Sequence, residues 1–106
     1  MPKYLFQGSY TAQGAKGIQK EGGSKRRQVA EALVKEAGGK LEAFYYAFGE
    51  TDFALIADLP DHVSSVALSI AVNASGAIQM RTIPLITVEE MDAAAKKHLS
   101  YRAPGQ

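Results

Sequence analysis

The chain has 106 residues, 46% of them hydrophobic and 22% charged, with a net charge of +1 and no cysteine. Its length suits one domain with a modest core, and its apolar fraction and low net charge exclude a disordered chain. The missing cysteines remove disulfides, thiolate metal sites and a cysteine nucleophile, and no apolar run approaches the ~20 residues of a membrane helix.

Residues 3–10 alternate and carry Tyr4, Phe6 and Tyr10, the pattern of a first strand. Residues 11–23 hold glycines at 14, 17, 22 and 23 and read as a loop with partial helix that Thr11 caps. Ser24 is the expected N-cap of a helix carrying Val29, Ala30, Leu33, Val34 and Ala37, which Gly38-Gly39 ends. Residues 40–48 form a strand, Gly49 to Asp52 a tight turn, and Phe53 to Leu59 the returning strand of a hairpin. Pro60-Asp61 starts a second helix, with Val63, Val66, Ala67, Ile70 and Ala71 on its expected packing face, and Ser75-Gly76 closes it. Residues 77–86 form a fourth strand, in which Pro84 marks an edge or a bulge. Thr87-Val88-Glu89-Glu90 is a capping box for a third helix running to about Leu99, with Met91, Ala94, Ala95 and His98 on one stripe. A polar tail, 100–106, follows.

The order is β-α-β-β-α-β with an extra C-terminal helix: an α+β, ferredoxin-like domain over residues 1–106, with both helices on one face of an antiparallel sheet. The second strand places Leu41, Ala43 and Tyr45 on one side and Phe44, Tyr46 and Phe48 on the other, and the third has Ala54 and Ile56 opposite Phe53, Leu55 and Leu59. A sheet with one wet face alternates apolar and polar residues. These strands do not, so the helix-free face is expected to pair with the same face of a second subunit, in a dimer or higher homo-oligomer.

Charge is segregated. Lys16, Lys20, Lys25, Arg26 and Arg27 stand against Glu21 alone, whereas no Lys or Arg occurs from Leu41 to Met80. No nucleic-acid motif accompanies the basic residues, so no nucleic-acid partner is expected. Gly17 to Ser24 nearly spells a P-loop, but Gly23 stands where the phosphate-binding Lys belongs, which rejects a nucleotide hydrolase. The weaker reading is an anion site at a helix start, formed by Ser24, Lys25, Arg26 and Arg27.

His62 supplies an untuned general base. Asp52, at the start of the third strand, is a candidate proton acceptor or ligand-orienting group. Arg81, mid-strand among Ile78, Met80 and Ile83, needs a carboxylate from the protein or from a ligand. Tyr10, Tyr45 and Tyr46 are candidate pocket residues. His62 and His98 lack metal-ligand spacing, so neither metal nor cofactor is expected. Asn73 reads as a helix-end cap, and Asn73-Ala74-Ser75 as a chance glycosylation sequon, because the N-terminus has no signal-peptide pattern. On that ground a cytoplasmic protein is expected.

Tyr4 to Thr11, Gly22 to Arg27, Gly38 to Glu42, Phe48-Gly49-Glu50-Thr51-Asp52, Asp58 to Asp61, Ala74 to Gly76 and Thr87 to Glu90 form a combination of segments. Together they resemble the GYD-domain family of small proteins of undefined function. Thr51 stands where that signature has a tyrosine. The family is similar to dimeric α/β-barrel proteins, a superfamily of small oxygenases, isomerases and ligand-binding modules, so the resemblance implies a fold more than an activity. The residues favour an oligomeric module holding a small anionic or amphipathic ligand between sheet and helices. The alternative is a cofactor-independent monooxygenase or isomerase using His62 and Asp52.

Overall fold

The computed structural model describes residues 1–106. Four strands form one antiparallel sheet: β1 (Lys3–Tyr10), β2 (Lys40–Tyr46), β3 (Phe53–Asp58) and β4 (Ile78–Leu85), in the order β2-β3-β1-β4. Four helices accompany them: α1 (Ala12–Glu21), α2 (Gly23–Glu36), α3 (His62–Ala74) and α4 (Val88–Ala95). Strand order and connectivity are those of the ferredoxin-like arrangement. No helix is long and apolar enough to cross a membrane.

The two central strands set the core. In the β1–β3 register Tyr4 lies opposite Ala57 and Phe6 opposite Leu55, all facing the helices. Tyr4, Phe6, Phe53, Leu55, Ala57 and Leu59 are buried there with Val34 of α2 and Leu68 of α3. Phe6 and Leu59 have no exposed surface at all, and truncating such a phenylalanine to alanine costs about 3–5 kcal/mol.

Several elements differ from the sequence reading, each for a local reason. Residues 12–21 are a full helix, not a loop. Thr11 caps it by accepting the Gly14 N–H. Gly14, which counted against a helix, is there for close approach: a Cβ on it would sit 2.0 Å from the Ala77 carbonyl oxygen. Helix α2 begins one residue before the expected cap. Gly22 precedes it at φ +83 and breaks the chain direction between α1 and α2, with no side chain capping the start. Ser24 lies inside the helix.

Strand β2 ends at Tyr46, so Phe48 lies at the exposed hairpin tip instead of on a strand face. A register shift between Leu41 and Ala43 then puts Leu41 on the same side as Phe44 and Tyr46. Helix α3 is turned relative to expectation. Ser65, Leu68 and Val72 face the core, while Val63, Val66, Ala67, Ile70 and Ala71 are exposed. The inward Ser65 is satisfied because its hydroxyl donates to the His62 carbonyl at 2.8 Å.

Pro84 does mark an edge strand, β4. Asn73 caps no helix end; it clamps that edge. Its Oδ1 accepts the Met80 N–H at 2.7 Å and its Nδ2 donates to the Met80 carbonyl at 3.2 Å. An exposed edge is a template for unwanted strand pairing, and this one is blocked twice, by Asn73 and by a proline without an N–H. The capping box at Thr87 and Glu90 forms as expected, but α4 stops at Ala95.

Gly14 and Gly17 share one helix and separate two effects. Gly17 has open space around its α-carbon and no positive φ. Gly17→Ala is expected to stabilise the protein by about 0.5–1 kcal/mol, whereas Gly14→Ala destabilises it by about 1–3 kcal/mol through overpacking. Paired urea titrations check the opposite signs.

Candidate functional site

Helix α2 lies over β2 and α3 over β4. Between them, above the middle of the sheet, is a cavity of about 60 Å³. Its floor is Phe44, Phe53, Leu55, Ile78 and Met80; its walls include Val29, Ala30 and Leu33 of α2 and Val72 of α3. Phe44 and Phe53 stack at 6.0 Å, and Tyr10 leans on Phe53 at 5.5 Å. Twelve of the thirteen lining residues are hydrophobic; the exception is Arg26.

Arg26 reaches this position by helical spacing, since 26, 29, 30 and 33 form one row of α2. Its guanidinium is 3.8 Å from the Glu21 carboxylate, a loose ion pair across the break at Gly22. Tyr10 and Arg26 also line an adjoining space of about 200 Å³ with Gln13, Gly17 and Glu21. The apolar cavity thus opens beside a polar vestibule, with Tyr10 and Arg26 at the boundary.

Tyr46 closes the same corner, its hydroxyl donating to the Gly23 carbonyl at 2.9 Å. Burial pushes the Tyr10 phenol up from its ordinary 10.0 to about 12; Tyr46 adds to the rise and Arg26 opposes it. A phenol so placed keeps its proton and serves as a hydrogen-bond donor at neutral pH.

The remaining candidates lie elsewhere. Asp52 braces the backbone: its Oδ2 accepts the Tyr10 N–H at 2.9 Å, its own N–H donates to Gly8, and its carbonyl accepts from Ala47. It therefore holds the strand end that presents Tyr10 and does not line the cavity. Thr51 lies beside it in the same turn. His62 is the first residue of α3, at the far end of β1. Its Nδ1 is 2.6 Å from the hydroxyl of Tyr4, with the two rings edge to face.

Arg81 and Tyr45 project from the opposite, helix-free face, as the pairing of Arg81 with Gln7 and of Tyr45 with Ala54 requires. The sheet therefore separates them from Tyr10 and Tyr46. Arg81 forms no ion pair, while Lys3 bridges Glu42 and Asp58 at 3.0 and 2.9 Å on the same face. Of the basic cluster, Ser24, Lys25 and Arg27 are exposed and Arg26 alone turns inward. His98 lies beyond α4, remote in sequence and element from His62.

The cavity walls on α2 and the floor residues Ile78 and Met80 read in the sequence only as core. The available signal was the charge on an apolar row, Arg26 in register with Val29, Ala30 and Leu33.

The profile of the GYD domain matches residues 4–95, and the chain belongs to that family. No curated protein and no solved structure matches it.

Folding raises the Tyr10 pKa, so between about pH 10 and about pH 12 the folded state keeps a proton that the unfolded chain releases. Stability is therefore expected to fall as pH climbs through that window. Tyr10→Phe removes this part of the dependence, as denaturant midpoints measured at successive pH values would reveal.

Proposed function

We propose that this GYD-domain protein binds a small amphipathic anion, apolar tail in the slot between α2 and α3, head group at Arg26 and the Tyr10 hydroxyl. The observation that carries this reading is the composition of the slot: an apolar lining with one cation, and at its rim a half-buried phenol that stays neutral. Ligand sites are apolar cavities with a few polar groups that fix orientation. The Arg26 pair with Glu21, at 3.8 Å and partly exposed, is weak, so an anionic head can displace the carboxylate at small cost.

Size narrows the class. A dry apolar cavity of about 150 Å³ holds benzene, and the slot has about 60 Å³. The first few carbons of an acyl tail fit with small movements of Val29 and Leu33, and a longer flexible tail extends along the open side of the slot; a rigid ring enters only if the helices part. Short and medium-chain carboxylates are therefore the first ligands to try. Titrating butanoate, hexanoate and octanoate into labelled protein is expected to shift the amide signals of α2 and of residues 78–80, with affinity rising along the series. A charge-assisted hydrogen bond contributes about 1.5–3 kcal/mol, so Arg26→Ala is expected to weaken octanoate binding at least tenfold while Arg27→Ala leaves it unchanged. Equal effects of the two variants would reject the site.

Self-association through the helix-free face belongs to the same proposal. Leu5, Ala43, Ala54, Ile56 and Ile83 share that face, with Tyr45 standing 72% exposed among them. An apolar band rimmed by Lys3, Glu42, Asp58 and Arg81 suits isologous pairing about a twofold axis. Native mass spectrometry over a dilution series is expected to show a multimer whose dissociation midpoint rises at least tenfold in Ile83→Glu. A monomer at every concentration would overturn the pairing.

A further inference from the structure

The segment after β4 leaves the body of the molecule. Ile86 and Thr87 are the whole connection, and the reciprocal capping box of Thr87 and Glu90 fixes the direction in which α4 starts. Helix α4 makes no substantial contact with any other element. The radius of gyration is 16.9 Å and the longest extent 56 Å, against about 13 Å for the radius of a compact chain of this length. Ile86, Val88, Met91, Leu99 and Tyr101 are all more than half exposed. An isolated helix of eight residues does not hold itself in water. The arm's caps and its apolar row of Val88, Met91 and Ala95 thus specify a helix whose packing surface lies outside its own domain.

A surface of the matching kind is present on the same chain. Helix α3 carries no charged side chain from Val63 to Ala74, yet Val63 is 78% and Ile70 63% exposed. A solvated helix face normally carries charge; depletion of charge at an apolar patch is the mark of an interface core. Alongside α3, a groove of about 470 Å³ runs to β4, lined by Val66, Ser69, Ile70, Asn73, Ala74 and Thr82. The Thr82 hydroxyl is buried there without a hydrogen-bond partner.

We propose that the arm from Ile86 to Tyr101 docks on a second copy of this chain, seating Val88 and Met91 in the groove between α3 and β4. The partner's arm is received in return. Both halves of the contact, the apolar row on the charged arm and an uncharged groove, are left bare in one molecule and are supplied by every copy. Reciprocal exchange covers both at once and closes about a twofold axis. The proposal is independent of the ligand slot and of the helix-free sheet face, since neither shares a residue with arm or groove.

The chain has no cysteine, which permits a direct test. Met91→Cys and Ile70→Cys are combined in the full chain, and the protein is equilibrated in a glutathione redox buffer. A disulfide requires Cα atoms within about 7 Å. Most chains are expected to run at twice the chain mass on a non-reducing gel, with a yield that falls on dilution. Met91→Cys with Val29→Cys, which places the second thiol on α2, serves as the control and is expected to stay uncrosslinked. A crosslink confined to single chains would mean the arm folds back on its own α3, and a yield equal to the control would mean it seats elsewhere. Either result overturns the proposal.

Discussion

The antiparallel register of β1 against β3 is the constraint on which the rest of the structure depends. It places Tyr4, Phe6 and the aromatic end of β1 on the same face as Phe53, Leu55 and Ala57. A slip of one residue would turn Leu5, Gln7 and Ser9 toward the helices and send the aromatics to the other side. The register also delivers Tyr10 to the rim of the slot, because Asp52 takes the Tyr10 N–H just before β3 begins. The same pairing thus builds the floor of the core and positions the phenol beside Arg26.

Much of the fold was legible in the chain. Turn residues and caps located all four strands and three of the helices, and Pro84 correctly marked an edge. What escaped was set by neighbours distant in sequence. Gly14 reads locally as a helix breaker, and only the nearby Ala77 carbonyl shows why a glycine stands there. The apolar residues of α3 encircle the helix, so periodicity could not say which side faces the sheet. Packing of Leu68 and Val72 against the sheet decides it, and Ser65 is carried inward with its hydroxyl bonded to the His62 carbonyl. Both sides of β2 are apolar, and the shift between Leu41 and Ala43 cannot be read from alternation alone.

The candidate site was legible in part, for a related reason. Tyr10, Tyr46 and Arg26 meet at one corner, whereas Tyr45 and Arg81 lie across the sheet and His62 lies at the far end of β1. A sequence gives residue types and spacing along the chain. Parity across a strand decides which neighbours share a face, and here adjacent tyrosines, 45 and 46, go to opposite sides. Charge on an otherwise apolar row was the informative signal, because a cation is carried into a cavity wall at the cost of desolvation only where something satisfies it.

The clamp on the β4 edge has a consequence for the timing of covalent modification. Asn73 opens an Asn-Ala-Ser sequence, yet in the folded chain both polar atoms of its amide are bonded to Met80. A glycosylating enzyme needs that nitrogen free, so it competes with the docking of α3 onto β4. If a chain met such an enzyme, folding first would shield the asparagine. Modification first would place the bulk of a sugar on that nitrogen, against the strand edge at Met80, before α3 and β4 had met. The same three residues would then yield two products, chosen by a race between two rates and not by their relative stabilities.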